Sequence, residues 1–455
     1  MIKIQDIKGK IKSHLGELWW YSLALLITQR VGDLINIYIA LWLVPKYVPM
    51  EQLGALLPLT QVAGFIGLPL AIILTPFTKF IGTFSAQGEH GKVKAMLRDV
   101  AIILLFASAI IGFITWSSAS FFFERLRVDS RLLVWILSGI TITSLVTSIT
   151  NGALSGLRNF RLMGITGVSS VLFRLLILLA LLPINGLLGF FSSQLAANLL
   201  ICVIFCWGIR QLISPAVKRI SYYGHWKEMM MYTLPFVLIT GISSLGVTIQ
   251  YMIIRQRLPE IESAAFYFCS RFAEIPNMIW GAIGLVFFPI ISNAHETQQQ
   301  TRKILFNVMM ISVVGGGCIA LMLGLTMPWF FGQVDIWSPY RPHAYLVGWL
   351  AFTNVFRVGF ACFTSYEMAC RRFSFLWYQV PIAFAECSFL IAFTGYGFFY
   401  TYLPHGWVDW MASLRIARIE CIVAVYFITA LLAFCMNLVH LWRENKAKSS
   451  PREVI

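Results

Sequence analysis

Apolar runs of about 20 residues or more, the length a helix needs to cross the hydrocarbon core of a bilayer, recur from one end of the chain to the other. They fall at 18–44, 53–74, 97–121, 132–154, 162–183, 186–209, 229–254, 263–290, 304–331, 342–366, 374–400 and 414–442, which predicts an all-α integral membrane protein of about 12 spans. The connections are short, so any chemistry lies within the spans or at their ends. Polar residues interrupt these runs at helical spacing. Span one carries Gln29, Arg30, Asp33 and Asn36, with Arg30 three residues before Asp33. Span eight carries Arg271, Glu274 and Asn277 at steps of three, and span ten carries Asn354 and Arg357. Span seven adds Thr233, Thr240, Ser244 and Thr248, and span eleven adds Gln379 and Glu386. Residues three and four apart share one side of a helix. Lipid would not accept such rows, so these faces are expected to turn towards the bundle interior.

Four arginines stand out against this background: Arg30, Arg174, Arg271 and Arg357, each near the middle of an apolar stretch. A charge at that depth costs about 2.5–3.5 kcal/mol on insertion scales and is rarely idle. Together they suggest a cationic polar site and an anionic cargo. A second reading stays open. Arg30 with Asp33, and Arg271 with Glu274, also read as neutralised pairs that lock helices together. Arg174 and Arg357 have no acid within one turn of their own helix, so each needs a partner elsewhere, such as Glu386, a backbone carbonyl, water or an anionic ligand.

Composition agrees with the pattern. The chain is 58% hydrophobic and 12% charged, too little charge to cover a soluble protein of 455 residues. A net charge of +15 raises nucleic acid as a partner, but its distribution excludes it. With the N-terminus inside, 22 of the 35 Lys and Arg fall in cytoplasmic segments, 8 in outer segments and five within spans. That is the positive-inside bias of a multi-pass protein with both termini cytoplasmic. One loop, Phe123–Arg127, is basic although assigned outside. Residues 2–18 align Ile4, Ile7, Ile11, Leu15 and Leu18 on one helical face with lysines elsewhere, which suits a helix lying on the inner leaflet. The first span is too long for a cleavable signal peptide. The nine cysteines lack paired spacing and read as small apolar residues.

Two segments repeat at an offset of 210 residues: Val48–Ala55 after span one and Leu258–Ala265 after span seven, each a proline turn followed by a small-residue helix start. A second match, near 213, sets Gly156–Phe160 against Ala369–Phe373. Six spans per repeat predict two lobes that cross the membrane in the same sense, an arrangement found in transporters with the substrate between halves. The expected organisation is a basic amphipathic segment at 1–17, a lobe at 18–210, a linker at 211–228, a second lobe at 229–442 and a tail at 443–455, with a central cavity. Pro69, Pro76, Pro235, Pro276, Pro289, Pro381 and Gly315–Gly317 punctuate the helices, as hinges or as kinks with close packing.

No phosphate-cradling Gly-rich loop ending in Lys-Ser/Thr occurs, and the histidines are scattered without metal-ligand spacing. No nucleophile–His–acid set stands out. Transport by direct ATP hydrolysis is therefore not expected of this chain; no catalytic residues, metal or cofactor stand out, a transporter is favoured over an enzyme, and a proton or cation gradient is a candidate energy source.

The motifs resemble a known family. Leu43–Tyr47 precedes Glu51–Gly54, span four ends in Leu154–Phe160, and the second half has Tyr232–Phe236, Ala265–Tyr267 and Phe288–Ser292. Over roughly 15–440 the chain is similar to the polysaccharide-biosynthesis flippases (O-antigen and exopolysaccharide translocases) of the multidrug/oligosaccharidyl-lipid/polysaccharide exporter superfamily. The resemblance implies two six-helix lobes and a V-shaped cavity in the bacterial cytoplasmic (inner) membrane. It implies transfer of a polyprenyl-diphosphate-linked oligosaccharide from the inner to the outer leaflet by alternating access, with glycosyltransferases and a glycan polymerase as partners. Related lipid flippases hold the diphosphate with arginines in spans one and eight; Arg30 and Arg271 are the matching positions. The chain departs from some relatives in having twelve spans without an extra helical pair for the lipid tail. A diphosphate suits the arginine fork, so Arg30, Arg271, Arg357 and Arg174 are candidate anion ligands. Gln29, Asn36, Asn277, Tyr267 and Trp280 are candidate sugar partners. Asp33, Glu274 and Glu386 are candidate proton or cation sites. The rivals are a cation-coupled multidrug exporter of the same superfamily, a membrane glycan polymerase or ligase, and a non-transporting scaffold.

Overall fold

The structure, a computed structural model, describes residues 27–28, 30–118, 130–156, 160–213, 220–225, 241, 244–256, 258–278, 287, 291, 301–370, 374–394 and 419–449. The expected N-terminal amphipathic helix, Gln29, the Phe123–Arg127 loop, Thr233, Pro235, Thr240, Trp280 and Pro289 lie outside the described residues.

The regular elements among the described residues are all helices, with no strand among them. Helical residues 30–38 run into a π turn at Ile39–Leu43 and then α1 (Val44–Tyr47). There follow α2 (Met50–Leu53), α3 (Leu56–Ala86), α4 (His90–Ser117), α5 (Arg131–Gly156), α6 (Phe160–Leu181) and α7 (Gly186–Ile213). After helical residues 244–256 come α8 (Glu260–Ala273), α9 (Thr301–Gln333), α10 (Leu346–Ala369), α11 (Leu376–Thr394) and α12 (Ile419–Ser449). Seven of the described helices are long and apolar enough to cross a membrane. On α9 the apolar residues Leu321, Leu325 and Trp329 recur every fourth position and stay exposed, as a lipid-facing stripe does.

Two departures from the predicted spans have local causes. Span two continues to Ala86 and span three begins at His90, so most of the expected cytoplasmic loop is helix. Hydropathy marks the apolar part of a helix, not its ends. Span eight breaks early: α8 stops at Ala273 and residues 274–276 form a turn. Pro276 explains the stop, because it has no N–H for the Phe272 carbonyl and its ring disfavours helix at Ile275. The Ile275 N–H goes to Phe272 O instead, at 3.2 Å.

The chain divides into two compact units, Met1–Pro49 with Leu59–Gly241, and Met50–Pro58 with Ile242–Ile455. In the first, α6 and α5 both pack on α7, and α4 packs on α5. The linker segment is anchored there: Ile220 N–H bonds Gly91 O, and the hydroxyls of Tyr222 and Tyr223 donate to Asp99 at 3.2 and 3.0 Å. Burial, and then the Asp99 carboxylate, push the Tyr222 hydroxyl well up.

In the second unit α9 and α10 pack closely, and α12 joins α10 and α11. Glycine makes that approach possible, since a Cβ at Gly348 would lie 2.8 Å from Gly324 Cα. Of the two readings for span-nine glycines, Gly316 supports packing, facing Val355 across the same interface. The repeated segments also meet here: α2 packs on α8, and a Cβ at Gly54 would lie 2.8 Å from Ser263 Cβ. Beside them Phe268 stacks on Tyr340 at 4.6 Å. Burial, with Glu51 second, pushes the Tyr340 hydroxyl up to about 12.

Candidate functional site

In the first unit Arg30 and Asp33 share one turn, and Arg30 Nη1 lies 2.9 Å from Asp33 Oδ2. That pairing uses one corner of the guanidinium. Nε and Nη2 of Arg30 are buried without a hydrogen-bond partner among the described residues. Those two nitrogens form the side edge of the fork, the edge that grips carboxylate or phosphate oxygens in pairs. A buried donor left without an acceptor carries a desolvation penalty of about 1–3 kcal/mol, more for a charged group. An oxyanion would relieve it. Arg174 reaches this region from α6 and donates from Nη1 to Asn36 Oδ1 at 3.1 Å, with its guanidinium 5.0 Å from the Phe190 ring centroid. Asn36 thus spends its carbonyl on Arg174, a use the sequence did not suggest.

In the second unit the break in span eight builds the site. Arg271 sits in the last turn of α8 and Glu274 is its C-cap. Arg271 Nη1 donates to both Glu274 oxygens at 3.0 and 2.9 Å, and its guanidinium lies over the Tyr267 ring at 5.3 Å. Arg271 Nε is buried without a partner among the described residues. Asn354 on α10 donates to the Ala273 carbonyl at 2.7 Å, satisfying a group that the interrupted helix leaves over. Replacing Asn354 by Leu is therefore expected to lower stability by about 1–3 kcal/mol, the cost of an orphaned buried acceptor. Thermal unfolding of the purified protein checks it; an unchanged midpoint would remove Asn354 from this role.

Arg357 finds the carboxylate its own helix lacks. Its Nη2 lies 2.9 Å from Glu386 Oε1 on α11, and the same oxygen accepts from Gln250 Nε2. The guanidinium lies 5.3 Å from the Tyr426 ring centroid on α12. Four helical segments thus converge on one ion pair. Gln250 was legible as a lone amide in an apolar run; Tyr426 and Phe190 carried no sequence signal, since aromatic residues are common throughout these spans. Asn277 follows the turn, its backbone N–H bonded to Glu274 O at 2.9 Å.

These pairs are not sealed. The Arg357 side chain keeps 36% of its surface and Glu274 keeps 45%. Half-open charges at such depth require water or a polar ligand, because hydrocarbon excludes them. Among the described residues no three His, Cys, Asp or Glu converge on a common metal position.

No family matches the chain by sequence, and neither does any curated protein. Its fold has clear counterparts. A multidrug resistance MATE family transporter of the MOP superfamily, inward-facing, superposes with a TM-score of 0.66 at 13% identity, covering 94% of this chain and 99% of the other. The lipid II flippase MurJ, in an inward closed conformation, gives 0.62 at 11% identity, covering 93% and 87%. A mutant of the Vibrio cholerae MATE transporter VcmN gives 0.59 at 15%, covering 96% and 98%. The protein is a multi-pass membrane protein with the all-helical, two-lobed fold of about twelve spans that these structures share.

Proposed function

We propose that the protein is a flippase that carries polyprenyl-diphosphate-linked oligosaccharide units from the inner to the outer leaflet of the bacterial cytoplasmic membrane, for surface polysaccharide biosynthesis. The observation that carries this reading is the desolvated side edge of Arg30, two buried donors without an acceptor among the described residues. A lipid diphosphate supplies paired oxyanions at membrane depth, and its polyprenyl tail can remain in lipid. Arg271, with its own unused Nε, is the second anion ligand. Asp33 and Glu274, one-third and nearly half exposed, are the proton or cation sites. Each compensates an arginine when cargo is absent and is released when phosphate replaces it. Alternating access moves the cargo, with both termini cytoplasmic. Glycosyltransferases and a polymerase are the expected partners.

A cation-coupled multidrug exporter is the second reading. It is favoured by those same open carboxylates and by the multidrug MATE structures among the structural counterparts. Proteoliposomes holding the full chain decide between them. The flippase reading expects a fluorescent polyprenyl-diphosphate glycan to become accessible on the opposite leaflet, with no pumping of cationic dyes. Dye transport without glycolipid transfer would overturn it.

A further inference from the structure

The intramembrane arginines offer different chemistry to a ligand. Arg30, Arg271 and Arg357 are each ion-paired, but Arg30 and Arg271 also bury N–H donors without a partner among the described residues, whereas no nitrogen of Arg357 is stranded in that way. With no desolvated donor to relieve, the Arg357–Glu386 pair gains little from binding a diphosphate. Its remaining groups define what it suits. Glu386 Oε1 accepts from both Arg357 and Gln250, which fills its two lone pairs, while Oε2 takes no bond among the described residues. Arg357 commits Nη2 to the carboxylate and retains further N–H groups on a side chain 36% exposed. The Tyr426 hydroxyl is buried beside them without a partner among the described residues.

The node therefore presents an acceptor, a donor and an adaptable hydroxyl within one small area, at no net charge. That set matches neighbouring hydroxyls of a sugar: one donates to Glu386 Oε2, the next accepts from Arg357, and Tyr426 serves either role. A site built to bond hydroxyl groups rejects cargo that lacks them, because its own buried polar atoms would stay unpaired. Gln250 and Arg357 also fix the carboxylate from two helices, so it is presented in one orientation without the cargo's help.

We infer that Arg357, Glu386, Gln250 and Tyr426 form a glycan-recognition site in the second unit, reading vicinal hydroxyls of a neutral sugar, separate from the anion ligands Arg30 and Arg271. Glu386 then acts as a fixed hydrogen-bond acceptor and not as a coupling site. The inference rests on the glycolipid reading and divides its cargo between two sites.

Two soluble probes test it against the full chain in lipid nanodiscs: inorganic pyrophosphate, and the free oligosaccharide released by mild acid from the cell's own lipid-linked intermediate. Glu386→Gln keeps shape and the acceptor for Arg357 but loses charge, and Tyr426→Phe removes only the hydroxyl. Each is expected to weaken oligosaccharide binding about tenfold, the scale of one lost hydrogen bond to a ligand hydroxyl, with pyrophosphate affinity within about twofold of wild type. Wild-type affinity for the oligosaccharide in both variants would overturn the assignment, and so would parallel loss of both probes, which marks a structural node. If wild type binds pyrophosphate but not the oligosaccharide, this site falls and the anion ligand stands. If it binds neither, the glycolipid reading itself falls.

Discussion

Arg30→Lys is expected to lose pyrophosphate binding by roughly 10- to 150-fold, the equivalent of about 1.5–3 kcal/mol for a charge-assisted hydrogen bond, and to stop glycolipid transfer, while the protein still accumulates in the membrane. Lysine keeps the positive charge beside Asp33, so the local ion pair survives. What it lacks is the planar edge of Nε and Nη2, the two donors that lie buried without a partner among the described residues. A point charge on a flexible stem does not reproduce that bidentate grip. The substitution thus separates charge from geometry, which alanine cannot do, because alanine also strands the Asp33 carboxylate. Isothermal titration with pyrophosphate, alongside the transfer assay, reads the result. Full retention of binding by the lysine variant would show that Arg30 acts only as a structural counter-ion to Asp33.

Removing Arg357 alone is expected to damage the fold more than removing it together with Glu386. Arg357→Met leaves the carboxylate of Glu386 with only Gln250 to satisfy it, in a position where its side chain is 15% exposed. Breaking a buried pair from one side costs about 3–5 kcal/mol, and the open side of Arg357 puts this site at the lower end. Arg357→Met with Glu386→Leu removes both charges and fills the space with apolar groups, a change that is often neutral for a buried pair. The double variant should therefore unfold at a higher temperature than either single variant, while still failing to recognise cargo. Strictly additive losses across the four proteins would mean that the two residues do not act as a pair, and the meeting of Arg357 with Glu386 would need another explanation.

The two arginines in spans one and eight and those in spans five and ten differ in how much of their environment the sequence exposed. Arg30 with Asp33 and Arg271 with Glu274 are three residues apart, so helical periodicity alone brought each pair together, and the structure contains both pairs. Arg357 and Arg174 have partners 29 and 138 positions away, at Glu386 and Asn36. No local spacing reveals such contacts. That each needs a partner from another helix follows from the absence of an acid within one turn; for Arg174, the identity of that partner does not. Pro276 was visible as a helix breaker, but not that Asn354 would repair the break.

Hydropathy and charge by themselves determined that this is a multi-pass helical membrane protein, roughly where its helices run, and which polar residues share a face. These follow from periodicities within a single helix and from the length of chain a bilayer demands. Tertiary structure decided which distant charges neutralise which, that Met50–Pro58 packs with the second unit, and that Arg30 buries two donors without a partner among the described residues while Arg357 shares the Glu386 carboxylate with Gln250. Those outcomes depend on side chains from distant segments competing for the same donors and acceptors, and a competition across helices leaves no periodic trace along the chain.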